Sequence, residues 1–418
     1  MRFLGENEIT RAKANKGFAK DVVANLQGVC LLERLVEQPS WLLALGAKHA
    51  PDCVSMENGV LDIVALLRDD AECFKPHSPA FFSCVTLPYR LDLNAKCPRW
   101  QRYLDEVQPN ADVQDFLQEW CGYCLTDDTS LHKFVILEGD SRHGKSVFCK
   151  VLRALLGREN VSAVPLEAFA EKFALSHTIG KLANIVEEIG PIDKMAEGHL
   201  KAFVGASEMT LDRKHKEAVT VEPTARLVFA TNNRPRVTDR SKGVWERLVL
   251  VPFPIEIPLG KRDPHLAEKL YEELSGIFNW AVFGLDQLRK RGHFVEPDVC
   301  AGLKEDYKLE VNPARAFIED SCEVCEQGEI EKGELYRLYV DHCKDGGYVA
   351  LNECHFGREV ARWYRDFTGR DLPEPVRRRV GNQRARFYQG IRQVTDETGG
   401  GPYGPGKSVS LLHTATEK

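Results

Sequence analysis

"KFVILEGDSRHGKSVFCKVLRALLG", residues 133–157, joins an apolar run, a loop bounded by glycines and a second apolar run that Gly157 closes. Residues 134–137 read as a buried strand. Val147, Val151, Leu152, Leu155 and Leu156 fall at helical spacing, and the glycine after them stops the helix. Between the two, residues 139–146 fit G-x-x-x-x-G-K-[ST], whose backbone N–H groups cradle nucleotide phosphates. A strand that delivers the chain and a helix that begins at the lysine aim N–H donors at an anion. The ATP-contacting residues are then Gly139, Asp140, Ser141, Arg142, His143, Gly144, Lys145, Ser146 and Val147. Lys145 reaches the β/γ-phosphates and Ser146 ligates Mg²⁺.

The same pattern recurs as "GPYGPGKS" at 401–408. No apolar strand precedes it, and Pro402 and Pro405 remove two N–H donors from the stretch that should hold phosphate. It reads as part of a flexible Gly/Pro-rich tail over 396–418. The chain has one nucleotide site.

The 418 residues allow two or three domains, and 43% hydrophobic with 28% charged residues is ordinary for a globular protein. No run is long and apolar enough for a transmembrane helix, and "MRFLGENEIT" is too polar for a signal peptide, so a cytoplasmic protein is expected. A net charge of −6 does not advertise a nucleic-acid binder, so local basic faces matter more. Thirteen cysteines, an odd count, include the pairs Cys121/Cys124 and Cys322/Cys325. A zinc site would need both pairs together. They lie far apart in the chain and read as buried thiols on helices.

Three further strands complete an ATPase pattern. Residues 182–186 end at Glu187-Glu188; one carboxylate can hold the magnesium shell, as Glu187 with Ser146, and the next can orient the attacking water. Residues 227–230 lead to Thr231-Asn232-Asn233, where Asn232 can touch a γ-phosphate, although Asn-rich stretches also make turns. Arg247 precedes a fourth apolar run at 248–251 and can act as a finger on a neighbouring subunit's nucleotide.

"LEGDSRHGKS", "LANIVEEI", "LDRKHKEAVTVEPTARLVFATNNRPRV" and "DRSKGVWERLVLVPF", in this order, resemble a superfamily 3 helicase, and more closely the helicase portion of the phage/plasmid primase–helicase family. Upstream "ENGVLDI", "PHSPAFFSCVTLPYRLD" and "WCGYCLTDDTS" resemble the same family's helical domain. The resemblance implies catalytic roles for Lys145, Glu187, Glu188, Asn232 and Arg247, a hexameric ring and 3′–5′ movement on DNA. It implies replication of a phage, plasmid or integrated element in the cytoplasm of a bacterial cell. The family commonly has two arginines after the tryptophan; here Glu246-Arg247 follows Trp245. The chain begins where the helical domain begins, so priming is expected from a separate primase.

Two basic stretches are candidate DNA contacts. Arg213, Lys214, His215 and Lys216 lie between two β-like runs at 208–211 and 218–221, and the resemblance makes them a hairpin gripping single-stranded DNA in a channel. Such contacts are electrostatic and sequence-tolerant. Residues 376–394 hold six arginines and no acidic residue. After two helical runs, this suggests a winged helix in which Arg377, Arg378, Arg379, Arg384 and Arg386 contact duplex phosphates, with Phe387 and Tyr388 packing the wing.

The expected architecture is multidomain α/β. A helical oligomerisation domain covers 1–125, an AAA+-like P-loop ATPase core 126–295 and a winged helix 305–395. The linker is "FVEPDVCAG", and one long helix is expected over "HLAEKLYEELSGIFNWAVFGLDQLRKR". The expected activity is ATP-dependent DNA unwinding. The alternatives are an origin-binding initiator in which ATP only controls assembly, and a small-molecule phosphotransferase.

Overall fold

The computed structural model describes residues 2–4, 9–11, 15–29, 36–43, 46–189, 196–235, 237, 242–380 and 383–394. The expected tail at 396–418, with its second G-K-S stretch, lies outside them. Among the described residues no helix is long and apolar enough to cross a membrane.

The N-terminal part departs from the helical expectation. A helix does span Lys16–Val29. Residues 40–87, however, hold two small sheets. One contains Gly46–His49, Ser40–Leu43 and Phe81–Phe82; the other contains Phe74–Lys75, Gly59–Asp62, Cys53–Met56 and Thr86–Leu87. Turn chemistry decides this: Glu57-Asn58 links two antiparallel partners in two residues, and a Cβ on Gly59 would lie 2.4 Å from the Lys75 carbonyl oxygen. Helix content returns at α1 (Pro98–Val107) and α2 (Ala111–Tyr123), the latter capped by the Asn110 side chain.

The central sheet contains β1 (Phe134–Glu138), β2 (Val161–Ser162), β3 (Ala183–Val186), β6 (Arg226–Thr231) and β7 (Leu248–Pro252). Helix α3 (Lys145–Leu156) follows β1 and ends at Gly157, while β4 (Met209–Arg213) and β5 (Lys216–Val221) form a separate hairpin. The five strands are parallel in the order β2-β3-β6-β1-β7. All four apolar runs expected as strands are strands, and burial on both faces explains their unbroken hydrophobicity. Parallel strands put the segments after β1, β3 and β6 at one edge of the sheet, where α/β folds place ligands.

The expected single helix after β7 is broken into α4 (Leu266–Tyr271) and α5 (Leu274–Arg291). At the break, the Glu273 carboxylate accepts from the Arg99 and Trp100 N–H groups at 3.0 and 3.1 Å and so serves the start of α1. Helices α2 and α5 meet through glycines: a Cβ on Gly122 would lie 2.2 Å from the Ala281 carbonyl oxygen, and one on Gly284 2.5 Å from the Gln118 carbonyl carbon. One hydrophobic core runs from α1 and α2 through β1, α3 and α5, so the interior is continuous across residue 125.

The expected linker is partly helix. Helix α6 (Asp298–Val311) includes Gly302 and buries Tyr307 beside Trp245, with ring centroids 5.1 Å apart. Residue 305 therefore lies inside an element packed on the ATPase part. Beyond it come α7 (Pro313–Ser321), β8 (Cys322–Glu331), α8 (Lys332–Asp345), α9 (Glu353–Thr368), β9 (Val376–Val380) and β10 (Gln383–Gln393). The three strands form one sheet in the order β8-β10-β9 over a core of their own, built on Phe317, Tyr339, Phe356 and Trp363. Two helices followed by an arginine-rich ribbon is the expected order.

Candidate nucleotide site and nucleic-acid surfaces

Glycine is required at both ends of the 139–144 loop. A Cβ on Gly139 would stand 2.5 Å from the Phe253 carbonyl oxygen, and one on Gly144 2.8 Å from Val107 Cγ1. Gly144 has φ +92°, and Arg142 inside the loop has φ +72°, a conformation costly for a side-chain-bearing residue. Three contacts hold that backbone. Tyr103 Oη donates to the Gly144 carbonyl at 3.0 Å, His143 Nδ1 lies 2.6 Å from the Phe253 carbonyl oxygen, and Ile257 N–H donates to the Arg142 carbonyl at 3.2 Å. Sequence reading missed Tyr103 and Val107: they lie on α1, about forty residues before the loop, and no local pattern links them to it.

Lys145 is buried at the first position of α3. Its ammonium donates to the Asp140 carbonyl at 2.8 Å, to Asn232 Oδ1 at 3.0 Å, and to the Gly139 carbonyl. Burial holds it below the usual lysine range, and the nearby charges of Asp140, Glu188 and Glu138 act in the opposite sense. Asn232 Nδ2 in turn donates to Ser141 Oγ at 3.3 Å. The turn reading of "TNN" also holds locally, since Asn233 N–H bonds Thr231 Oγ1 at 3.0 Å. The turn is what swings Asn232 into the loop.

The acidic pair divides. Glu188 is exposed, whereas Glu187 is half-buried with its Oε1 3.3 Å from Arg153 Nη1 on α3. Ser146 is exposed at the start of α3. Backbone amides at a helix start, a lysine, a serine hydroxyl and two carboxylates form a donor set suited to a nucleoside triphosphate with Mg²⁺. No group of three or more His, Cys, Asp or Glu able to hold a metal ion occurs among the described residues. Cys121, Cys124 and Cys322 are buried, while Cys325 is half-buried and, like Cys322, lies on strand β8 rather than on a helix.

Arg247 is not brought to this edge. It precedes β7, which pairs in parallel with β1 from Phe134↔Leu248 to Glu138↔Pro252, and its carbonyl accepts from Phe134 N–H at 2.9 Å. Lys145 lies beyond the other end of β1, roughly 17 Å away over five residues of strand. Arg247 Nη1 donates to the Gly243 carbonyl at 2.7 Å, and its buried Nε has no hydrogen-bond partner among the described residues. Arg234, just after the Asn turn, is another residue the sequence reading missed. It donates to Glu138 Oε1 at 2.9 Å and to Glu310 Oε2 of α6 at 2.8 Å, with Tyr307 beneath it at 5.3 Å. Burial raises the Glu138 carboxyl above its ordinary range, and Arg234 opposes the shift.

The hairpin of β4 and β5 is longer than expected. Lys214 and His215 form its exposed tip, His215 has φ +59°, and Arg213 pairs with Lys216 across the ribbon. Arg213 Nε donates to the Glu217 carbonyl at 2.9 Å, and Leu211 packs the base of the hairpin into the core. In the C-terminal ribbon, Arg377 lies opposite Arg386 and Arg379 opposite Arg384. Directly opposed and alternate residues share a face, so these four project together on the side to which Tyr388 belongs. Tyr388 is buried beside Gly357 of α9. Arg378 is on the other face, bonded to Glu329 at 2.7 Å and 5.9 Å above the Phe387 ring, which separates it from the other four.

Comparison with known proteins matches these parts segment by segment. Residues 10–109 match the D5 N terminal like family, residues 137–247 a family of unknown function (DUF5906), and residues 312–395 the RFX DNA-binding domain. "Putative helicase L207/L206" of Acanthamoeba polyphaga mimivirus is 21% identical over 349 residues, covering 76% of this chain. The N-terminal match and this viral relative support a helicase of the phage-type primase–helicase family. This is a replication-associated helicase family. A second relative, "Putative helicase 184R" of Invertebrate iridescent virus 6, is 22% identical over 185 residues, 40% of this chain. The chain spans 33% and 19% of the lengths of these two viral proteins. Solved structures of the NrS-1 C-terminal region align with TM-scores of 0.44 and 0.48 at 11% and 10% identity. They cover 73% and 72% of this chain and 80% and 79% of theirs.

Proposed function

We propose that this chain is an ATP-dependent DNA helicase that works as a ring, with each nucleotide between two subunits. The observation that carries the reading is the disposition of Lys145, Asn232 and Arg247. Lys145 and Asn232 meet at one edge of the parallel sheet, and Arg247 stands at the opposite edge. An arginine roughly 17 Å from its own phosphate loop is out of reach of that nucleotide, which supports a role on a neighbouring subunit's nucleotide. The strand order β2-β3-β6-β1-β7 supports an AAA+-like core built for that arrangement.

In this reading the loop amides and Lys145 bind the β/γ-phosphates, and Asn232, held by Ser141 and Lys145, registers the γ-phosphate. Ser146 and Glu187 would hold Mg²⁺, which would neutralise phosphate charge when bound, and Glu188 orients the attacking water. Arg247 of the neighbour stabilises the transition-state charge. The Lys214–Lys216 tip carries one DNA strand, in the 3′–5′ sense that the family resemblance implies, within a phage, plasmid or integrated element served by a separate primase. The C-terminal unit acts as a winged helix on duplex.

The opposed arginines of that unit favour a second reading, an origin-binding initiator whose ATP only controls assembly. Strand displacement on a forked DNA with ATP separates the two. Unwinding by the wild type and none by Lys145→Ala supports the helicase. DNA-stimulated hydrolysis without unwinding supports the initiator. Absence of any hydrolysis removes both.

A further inference from the structure

The ion pair between Arg153 and Glu187 has no role in the nucleotide chemistry described so far. Arg153 lies two turns along α3 from Lys145. Strand β2 pairs with β3 only as far as Ser162↔Asn184, so Ile185 comes after the last β2 partner. Arg153 Nη2 donates to the Ile185 carbonyl at 2.9 Å, while Nη1 stands 3.3 Å from Glu187 Oε1. The two side chains are 25% and 29% exposed, which places the pair at the wall of the site rather than in open solvent. Arg153 Nε is buried and has no hydrogen-bond partner among the described residues, so the contacts of its guanidinium there are made through Nη1 and Nη2. One helix thus carries the phosphate lysine at its start and the anchor of the acidic strand end two turns later. Glu187 and Glu188 are consecutive residues just past the end of β3, so holding Glu187 against α3 also restrains the backbone that carries Glu188. Among the carboxylates that act on Lys145 are Glu188, Asp140 and Glu138.

We infer that Arg153 is a positioning residue for hydrolysis: by clasping Glu187 and the Ile185 carbonyl it presents Glu188 to the phosphate loop. The inference rests on the ATPase reading proposed for the site. A guanidinium holds a carboxylate in a defined plane through paired N–H groups, which a lysine reproduces only in charge.

The test uses the full chain with Arg153→Ala, Arg153→Lys and Glu187→Gln. Residues that orient a metal or catalytic carboxylate from behind contribute about 10- to 100-fold in metal affinity or activity. For Arg153→Ala the expected result is a kcat loss in that range. Affinity for a fluorescent ATP analogue in EDTA should change by no more than about twofold, and its tightening by Mg²⁺ should fall about tenfold. Arg153→Lys should recover part of kcat. Arg153→Ala added to Glu187→Gln should cost little more than Glu187→Gln alone, because the two act as one unit. A merely structural tie would lower the melting temperature and leave kcat of the folded protein, and the Mg²⁺ effect, at wild-type values; that overturns the inference. Additive losses overturn it as well. A wild type that binds nucleotide without hydrolysing it removes the ATPase reading instead, and the Mg²⁺-dependent tightening then decides on Arg153 by itself.

Discussion

The arginine ribbon permits a quantitative prediction. Replacing Arg377 and Arg386 by alanine removes one cross-strand pair from a face of four. Taking one cation off a duplex phosphate makes the slope of log K against log salt shallower by about 0.9. If the four arginines act on phosphate, their part of the slope is about −3.6, or roughly a 150-fold loss of affinity between about 50 and 200 mM salt. The double variant should retain about −1.8 of it, roughly a 12-fold loss over that range. Arg378→Ala should leave the slope unchanged, because its guanidinium is on the other face with Glu329. Like charges directly opposed destabilise a ribbon by about 0.2–1 kcal/mol per pair, so the double variant should fold at least as well as the wild type. Fluorescence anisotropy of a labelled duplex titrated at several salt concentrations, beside thermal melts, reads all of this. An equal slope change for Arg378→Ala and for either face residue would refute the reasoning, since it would mean that only total charge matters.

Lys145→Ala should abolish hydrolysis and weaken nucleotide binding about 10- to 150-fold, the worth of a charged hydrogen bond of about 1.5–3 kcal/mol, and turnover at the wild-type rate would reject the loop. Arg247→Ala should lower kcat by about 10³-fold with nucleotide affinity retained, as a trans-acting finger does. Mixing it with Lys145→Ala subunits should restore partial turnover; no rescue at any ratio counts against action between subunits. Lys214→Ala with Lys216→Ala should remove stimulation of hydrolysis by single-stranded DNA and reduce the salt slope by about 1.4, and undiminished stimulation would clear the hairpin of a DNA role.

What was legible in the sequence was what local chemistry determines. Residues 133–157 announce strand, loop and helix because their signals are local: an unbroken apolar run, bounding glycines and apolar residues at helical spacing. Asn232 was readable as a candidate, but its contact with Lys145 depends on β1 and β6 being neighbours in the sheet, which no window of sequence displays. The strands at 40–87 are two to four residues long, too short for a periodic signal. The break between α4 and α5 was hidden because Glu273 is a good helix former used here to serve α1. Tyr103, Arg153 and Arg234 escaped notice for one reason: each acts on a segment that only the tertiary fold brings near.

Helix α6 has a mechanical consequence. It is fastened to the ATPase part along its length: Lys304 Nζ donates to the Leu248 carbonyl at 3.4 Å, Tyr307 Oη donates to the Pro235 carbonyl, and Glu310 meets Arg234. One residue past its end, Asn312 accepts from Arg315 N–H to start α7, and its Nδ2 donates to Glu359 of α9 at 3.0 Å. The C-terminal unit is therefore bolted on rather than tethered. A swivel would let a bound duplex spin freely beside a working motor. On the proposed function, a bolted mount would make the two turn together, and twist introduced at the ribbon would reach the segment that carries Asn232.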